Sequence, residues 1–141
     1  NNEKFLSENK LENYAKIAVE NYIYNFNIYK LDLAANEVLS LAINTNLYLN
    51  DNQPWMLIKE KDNISLVKEI IYNVLESTRI IGLLLQPLLP ELSSKINEQL
   101  GSIYIEEIPW KQQLSWGLLV KDSSLPKPIP IMDKLEYDQH T

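Results

Sequence analysis

Leu11, Tyr14, Ala15, Ala18, Tyr22, Phe26 and Tyr29 recur at steps of three, four and seven residues, the spacing that lines one face of a helix. This predicts a first helix over Lys10 to Tyr29. The pattern repeats in Leu31, Ala34, Val38, Leu41, Thr45 and Tyr48, with Asp32 as the expected N-cap of a second helix ending near Asp51. Val67, Ile70, Ile71, Val74, Leu75, Thr78 and Ile81 form a third stripe. Ile80, Leu83 and Leu84 add apolar residues on other faces, so this third helix should be buried on more than one side near its end. Gln86-Pro87 and Leu89-Pro90 break it, because proline disfavours helical geometry in the residue before it yet suits a first helical turn. A fourth helix is expected over Pro90 to Leu100, with Leu92 and Ile96 facing inward and Gly101 as C-cap. Amphipathic helices in succession must bury their stripes against one another, so the expected fold is all-α: an antiparallel helical bundle of about four helices.

Beyond Gly101 the pattern changes. IYIEEIPW, LSWGLLV and LPKPIPIMDKLE mix short β-like runs with Pro and Gly. We expect residues 1–101 to form the bundle and 102–141 an irregular tail packed on it, with a short β-hairpin as one form it can take. Pro126, Pro128 and Pro130 favour extended backbone, so that stretch should strap along a surface. A chain of 141 residues is one ordinary domain and buries roughly two thirds of its unfolded surface without disulfides or metal.

Composition removes several function classes. The formal net charge of −6 argues against a general electrostatic grip on nucleic acid, so any such partner needs other contacts. The absence of Cys rules out disulfides, thiolate metal sites and a cysteine nucleophile, and it fits a cytoplasmic setting. The opening NNEKF has no signal-peptide character, and IIGLLL at 80–85 is far short of the roughly 20 residues that span a bilayer. His140 is the sole histidine and stands next to the last residue, so neither a Ser-His-Asp arrangement nor a histidine metal site is expected. The three glycines are isolated and form no phosphate loop. Glu106-Glu107 reads as a solvated edge. No catalytic site is expected in this chain.

One corner stands out. In NTNLYLNDNQPW, residues 44–55, the second helix becomes almost purely polar and then delivers Pro54 and Trp55. Trp55 is either a plug under a loop or a platform for something flat. Asn46 and Asn50 share a face, with Asp51 and Asn52 beside them. These residues serve helix capping and turns. Equally, amide donors and acceptors beside an aromatic face suit unstacked RNA bases.

The segment NxYLxxxxPWMLIK, Asn46 through Lys59, resembles the signature of the anticodon-binding domain of methionyl-tRNA synthetase. Further matches keep the family's order. Leu75 to Arg79 followed by LLLQPLLPELSSKINEQLG resembles its long helix, double-proline break and next helix, and Trp110 with Trp116-Gly117-Leu118 resembles its tail. The ending PIPIMDKLE departs from the family, with Met132, Asp133 and Lys134 where Phe, Pro and Arg are usual. Isoleucyl-, leucyl- and valyl-tRNA synthetases share the bundle but fit these motifs less well.

The resemblance implies anticodon recognition as the C-terminal module of a methionine-tRNA ligase, with tRNA(Met) and the enzyme's catalytic domain as partners. The family's HIGH and KMSKS motifs are not in this chain, so it carries no cofactor of its own: ATP and methionine would bind the catalytic domain. The family also reads its anticodon partly through an Asn and an Arg on a helix before the equivalent of the first helix, and nothing in these residues matches that helix. The Trp after the proline carries over onto Trp55, which would stack on an anticodon base. Asn46, Tyr48 and Asp51 match the surrounding pattern and would shape the site. Arg79 is given no site role; it reads as a helix ion-pair partner before a phosphate contact. The competing reading is a helical protein-protein adaptor with no RNA role. An exposed Trp55 beside Asn and Lys favours RNA, and a large apolar groove favours the adaptor.

Overall fold

The computed structural model describes residues 2–101 and 107–119, with side chains from residue 10 onward. Helix α1 (Asn2–Asn27) and helix α2 (Leu31–Asn52) pack antiparallel, a four-residue helix α3 (Pro54–Leu57) follows, and a 3-10 turn (Lys61–Asn63) leads into helix α4 (Ile64–Leu85). Helix α5 (Pro90–Leu100) folds back along α4, and a second 3-10 turn covers Gln112–Leu114. Among the described residues there is no strand. The short hairpin offered for the tail 102–141 is not formed within 107–119, and the rest of that tail, with the strap through Pro126, Pro128 and Pro130 and with His140, lies outside the described residues.

The expected stripes meet in the core. Ala15, Ala18, Tyr22, Ala34, Val38 and Leu41 bury against Ile80, Leu83 and Leu84, and a smaller cluster joins Leu11, Tyr48 and Ile70. The end of α4 is buried all round, as its many-sided apolar sequence requires. The fourth helix has the expected bounds, and Gly101 closes it in the left-handed conformation at φ 73°, its N–H bonded to Asn97 O.

Three details differ from the sequence reading. Tyr29 does not continue the inward stripe, because α1 stops at Asn27 and the chain turns left-handed at Tyr29 (φ 61°), leaving its side chain 91% exposed. Asp32 lies inside the first turn of α2 and is not its N-cap; that place falls to Lys30, which makes no side-chain capping bond. Leu31 and Ile71, counted in the stripes, face solvent.

Polar bonds thread the interior and fix how the helices register. Tyr22 Oη donates to Leu84 O (2.8 Å), tying α1 to α4. Thr45 Oγ1 donates to Leu41 O (2.7 Å), so the 2.6 Å contact between the Thr45 and Ser77 hydroxyls has Ser77 as donor. Asn73 Nδ2 donates to Tyr48 Oη (3.0 Å), and Ser93 Oγ donates to Gly82 O (2.6 Å), joining α5 to α4.

The segment 107–119 is organised by α4. Its turns pair the N–H groups of Gln112 to Ser115 within the segment, but those of Gly117, Leu118 and Leu119 need partners elsewhere. The buried ion pair Glu76–Arg79 supplies them. The Glu76 carboxylate accepts from the backbone N–H groups of Gly117 (2.9 Å), Leu118 (3.1 Å) and Leu119 (3.0 Å). Arg79 donates to Gln113 O (2.6 Å) and Ser115 O (2.8 Å). Gly117 adopts φ 95°, a left-handed turn that favours glycine, within this set of N–H groups. Trp110 donates from Nε1 to Leu83 O (2.9 Å) and its ring lies 6.2 Å from that of Tyr22, while Leu114 enters the main core. Leu118 is exposed: its backbone holds the segment down, not its side chain.

Two outcomes follow from this interior. Glu76→Gln leaves the Arg79 guanidinium buried without its counter-charge, so it should cost about 3–5 kcal/mol of stability in urea unfolding. An unchanged midpoint would show that the pair is dispensable. Burial raises the Tyr22 phenol from 10.0 to about 12. Between those values the folded chain keeps a proton that the unfolded chain loses, so this contribution is intact below pH 10 and is lost as pH rises towards 12. Tyr22→Phe should flatten the fall in stability across that window in pH-dependent melting, and an equally steep fall would assign it to other groups.

Candidate nucleic-acid interface

The corner after α2 is built by its backbone. Proline disfavours right-handed helical geometry in the residue before it, so α2 cannot run through Gln53. Gln53 instead turns left-handed (φ 46°, ψ 61°), and its N–H closes α2 on Leu49 O. Pro54 then occupies the first turn of α3, where its missing N–H has no cost. In this short helix Pro54 and Leu57 face inward, and Leu57 packs against the Leu11, Tyr48 and Ile70 cluster. Trp55 and Met56 are thereby turned outward.

Trp55 is 50% exposed and belongs to neither core cluster, which excludes the plug reading. Met56 and Ile58 are exposed beside it in sequence. Lys59 Nζ approaches Met56 Sδ at 3.8 Å, and Lys59 and Lys61 alternate with Glu60 and Asp62 on an exposed stretch. The ring therefore stands among mixed charge and not on a basic patch.

The other expected site residues divide. Asn46 and Asp51 are exposed, as surface contacts must be. Tyr48 is buried: its hydroxyl accepts from Asn73 and its carbonyl accepts from Asn52 Nδ2 (2.8 Å), so it anchors the end of α2 and presents little surface. Asp51, Asn52 and the edge of Tyr48 line a cleft of about 160 Å³ whose remaining walls are Asn44, Leu47, Leu11, Lys10 and Tyr14. Asn46 lies outside that lining. Lys10 and Tyr14 were not legible as part of this surface, since Tyr14 counts as an inward residue by spacing. Its ring is 36% exposed, with Lys10 Nζ 5.8 Å from the ring centroid.

Arg79 is not at this surface. It is the helix ion-pair partner that its sequence position suggested, buried with Glu76. Three of the exposed apolar residues of α2, Leu39, Ile43 and Leu47, follow at intervals of four and form a ridge along one face.

A family model for the anticodon binding domain of methionyl tRNA ligase matches residues 2–140. A methionine-tRNA ligase of Nostoc sp. is 33% identical over 120 residues, covering 82% of this chain and 22% of that protein. The Synechocystis sp. methionine-tRNA ligase is 35% identical over 113 residues, covering 73% of this chain and 21% of that protein. The crystal structure of apo Mycobacterium tuberculosis methionyl-tRNA synthetase superposes with a TM-score of 0.77 at 25% identity, over 89% of this chain and 25% of that one. This chain thus spans about a fifth of the length of these curated relatives. It belongs to the family of anticodon-binding domains of methionyl-tRNA ligases.

Proposed function

We propose that this domain reads the anticodon of tRNA(Met) for a complete methionine-tRNA ligase, with Trp55 as the stacking platform. The observation that carries this reading is the half-exposed indole, fixed by Pro54 at the polar end of α2. A large aromatic ring held outward by a buried proline and a buried neighbouring helix end is pre-organised for a flat partner. Base-aromatic stacking also needs no basic patch, which suits a chain of net charge −6.

Asn46, exposed on the last turns of α2 that lead to Trp55, offers base-edge hydrogen bonds, and Tyr48 positions that helix end. The remainder of the ligase binds ATP and methionine and performs the aminoacylation, in the cytoplasm. Among the described residues no helix is long and apolar enough to cross a membrane. The adaptor reading is less well supported, because helix-in-groove docking needs an apolar groove and α2 presents a ridge.

In the complete ligase, Trp55→Ala should lower kcat/KM for tRNA charging by a factor reflecting about 1–3 kcal/mol, with methionine activation unchanged. The melting temperature should fall little, because a half-exposed ring leaves no large cavity. Normal charging by a badly destabilised variant would remove the platform role. The isolated chain should bind tRNA more weakly than micromolar even at low salt, since one stack of that size is far short of the roughly 8 kcal/mol that micromolar binding needs. Sub-micromolar, anticodon-dependent titration would overturn that expectation.

A further inference from the structure

The cleft between the start of α1 and the end of α2 has features that the Trp55 platform does not use. One wall is aromatic: the Tyr14 ring, partly exposed, with the Lys10 ammonium 5.8 Å from its centroid. The facing wall carries Asn44, Asp51 and Asn52, and Leu47 adds an apolar side. Among the described residues neither Lys10 nor Asp51 has an ion-pair partner. A cleft that joins an aromatic ring, an ammonium and a carboxylate, the two charges unpaired among the described residues, is a specific chemical combination.

Each group selects a part of the ligand. A carboxylate repels phosphate but accepts from an exocyclic amine, the N4 of cytosine or the N6 of adenine. An exposed aromatic ring offers a face to any base. A lysine ammonium over that ring is held only by the ring quadrupole, so it can leave the face for a phosphate when a base arrives. The volume of about 160 Å³ accommodates a single planar ring and its edge contacts. Asp51 and Asn52 belong to the last turn of α2, immediately before Pro54 and Trp55, so the cleft and the platform share one corner.

We propose that this cleft is a second base subsite of the same interface: an unstacked, amino-bearing base of the RNA loop stacks on Tyr14 and donates its amine to Asp51, while Lys10 contacts the backbone phosphate. This deepens the anticodon-reading assignment and rests on it. Lys10 gates the subsite by occupying the ring face in the free protein. Asp51 gives the subsite its selectivity, since a uracil edge presents a carbonyl to the carboxylate where cytosine presents an amine.

The test uses the complete ligase and anticodon stem-loop hairpins in which each loop base in turn is replaced by uracil, with dissociation constants measured at fixed low salt. Tyr14→Ala should weaken binding of the unaltered hairpin by about fivefold to 150-fold, the range of a base-aromatic stack. Lys10→Gln should weaken all hairpins alike and reduce the salt dependence. Asp51→Ala should erase the penalty for uracil at one loop position only and leave the other penalties as they are. That coupling is a readout that general loss of folding would not produce, and circular dichroism melts of each variant check the fold.

If Trp55→Ala weakens binding while the Tyr14, Lys10 and Asp51 variants bind as wild type, the cleft proposal is overturned and the platform stands. If none of the four variants weakens binding, the RNA-reading assignment itself fails and the cleft falls with it. If Asp51→Ala lowers every hairpin equally, the carboxylate does not select a base and the subsite is wrong as drawn.

Discussion

The buried pair of Glu76 and Arg79 is the constraint on which the rest of this domain depends. Two charges taken out of water cost several kcal/mol each, and their mutual attraction offsets this only if the remaining lone pairs and protons are satisfied. Here three backbone N–H groups and two carbonyls of residues 113–119 satisfy them. The dependence runs both ways. The segment's own turns leave the N–H groups of Gly117, Leu118 and Leu119 to be paired elsewhere, and the ion pair is buried away from solvent. Each makes the other tolerable, and together they place Trp110 over Leu83 and Leu114 in the core.

From that fixed α4, registration passes outward to the recognition surface. Ser77, one residue from Glu76, donates to Thr45, and Asn73, one turn earlier, donates to Tyr48. These two bonds hold the last turns of α2 at a definite height against α4. Pro54 and Leu57 then dock the start and end of α3 beneath Trp55. The indole is exposed, yet little of its position is left free, because the backbone on both sides of it is buried or capped. Tyr48 illustrates the arrangement: matched to the family by its place in the motif, it belongs to the interior, and it acts on the surface only through the helix end that it holds.

How much of this was legible in the sequence varied with the kind of force involved. The three long helices, α1, α2 and α4, followed from apolar spacing, and α5 with its glycine cap from local chain geometry, because both signals are contained within a few neighbouring residues. Tyr29 was misread for the same reason: its spacing fits the stripe, and only the left-handed turn after Asn27 removes it. The exposure of Trp55 was undecidable from composition, since a proline-fixed corner can turn a ring either way. The roles of Glu76 and Gln113 were invisible, because their partners lie 34 to 43 residues away and the segment 113–119 has no periodicity. Lys10 and Tyr14 met the end of α2 only once the antiparallel pairing of α1 and α2 was known.

The division between interior and surface shows how an acidic domain could serve RNA on the proposed reading. Among the described residues the one deeply buried ion pair closes on the segment 107–119, and the exposed stretch 59–62 alternates in sign. The proposed recognition is left to groups whose attraction does not depend on net charge, namely an indole face and amide and carboxylate edges. Such contacts are individually modest and fall off abruptly with misplacement, unlike phosphate contacts, which tolerate it. A surface that relies on them needs a rigid support. In this domain that support is the line of buried polar bonds from Glu76 through Ser77 and Asn73 to Thr45 and Tyr48, so on the proposed reading recognition rests chiefly on residues that never touch the RNA.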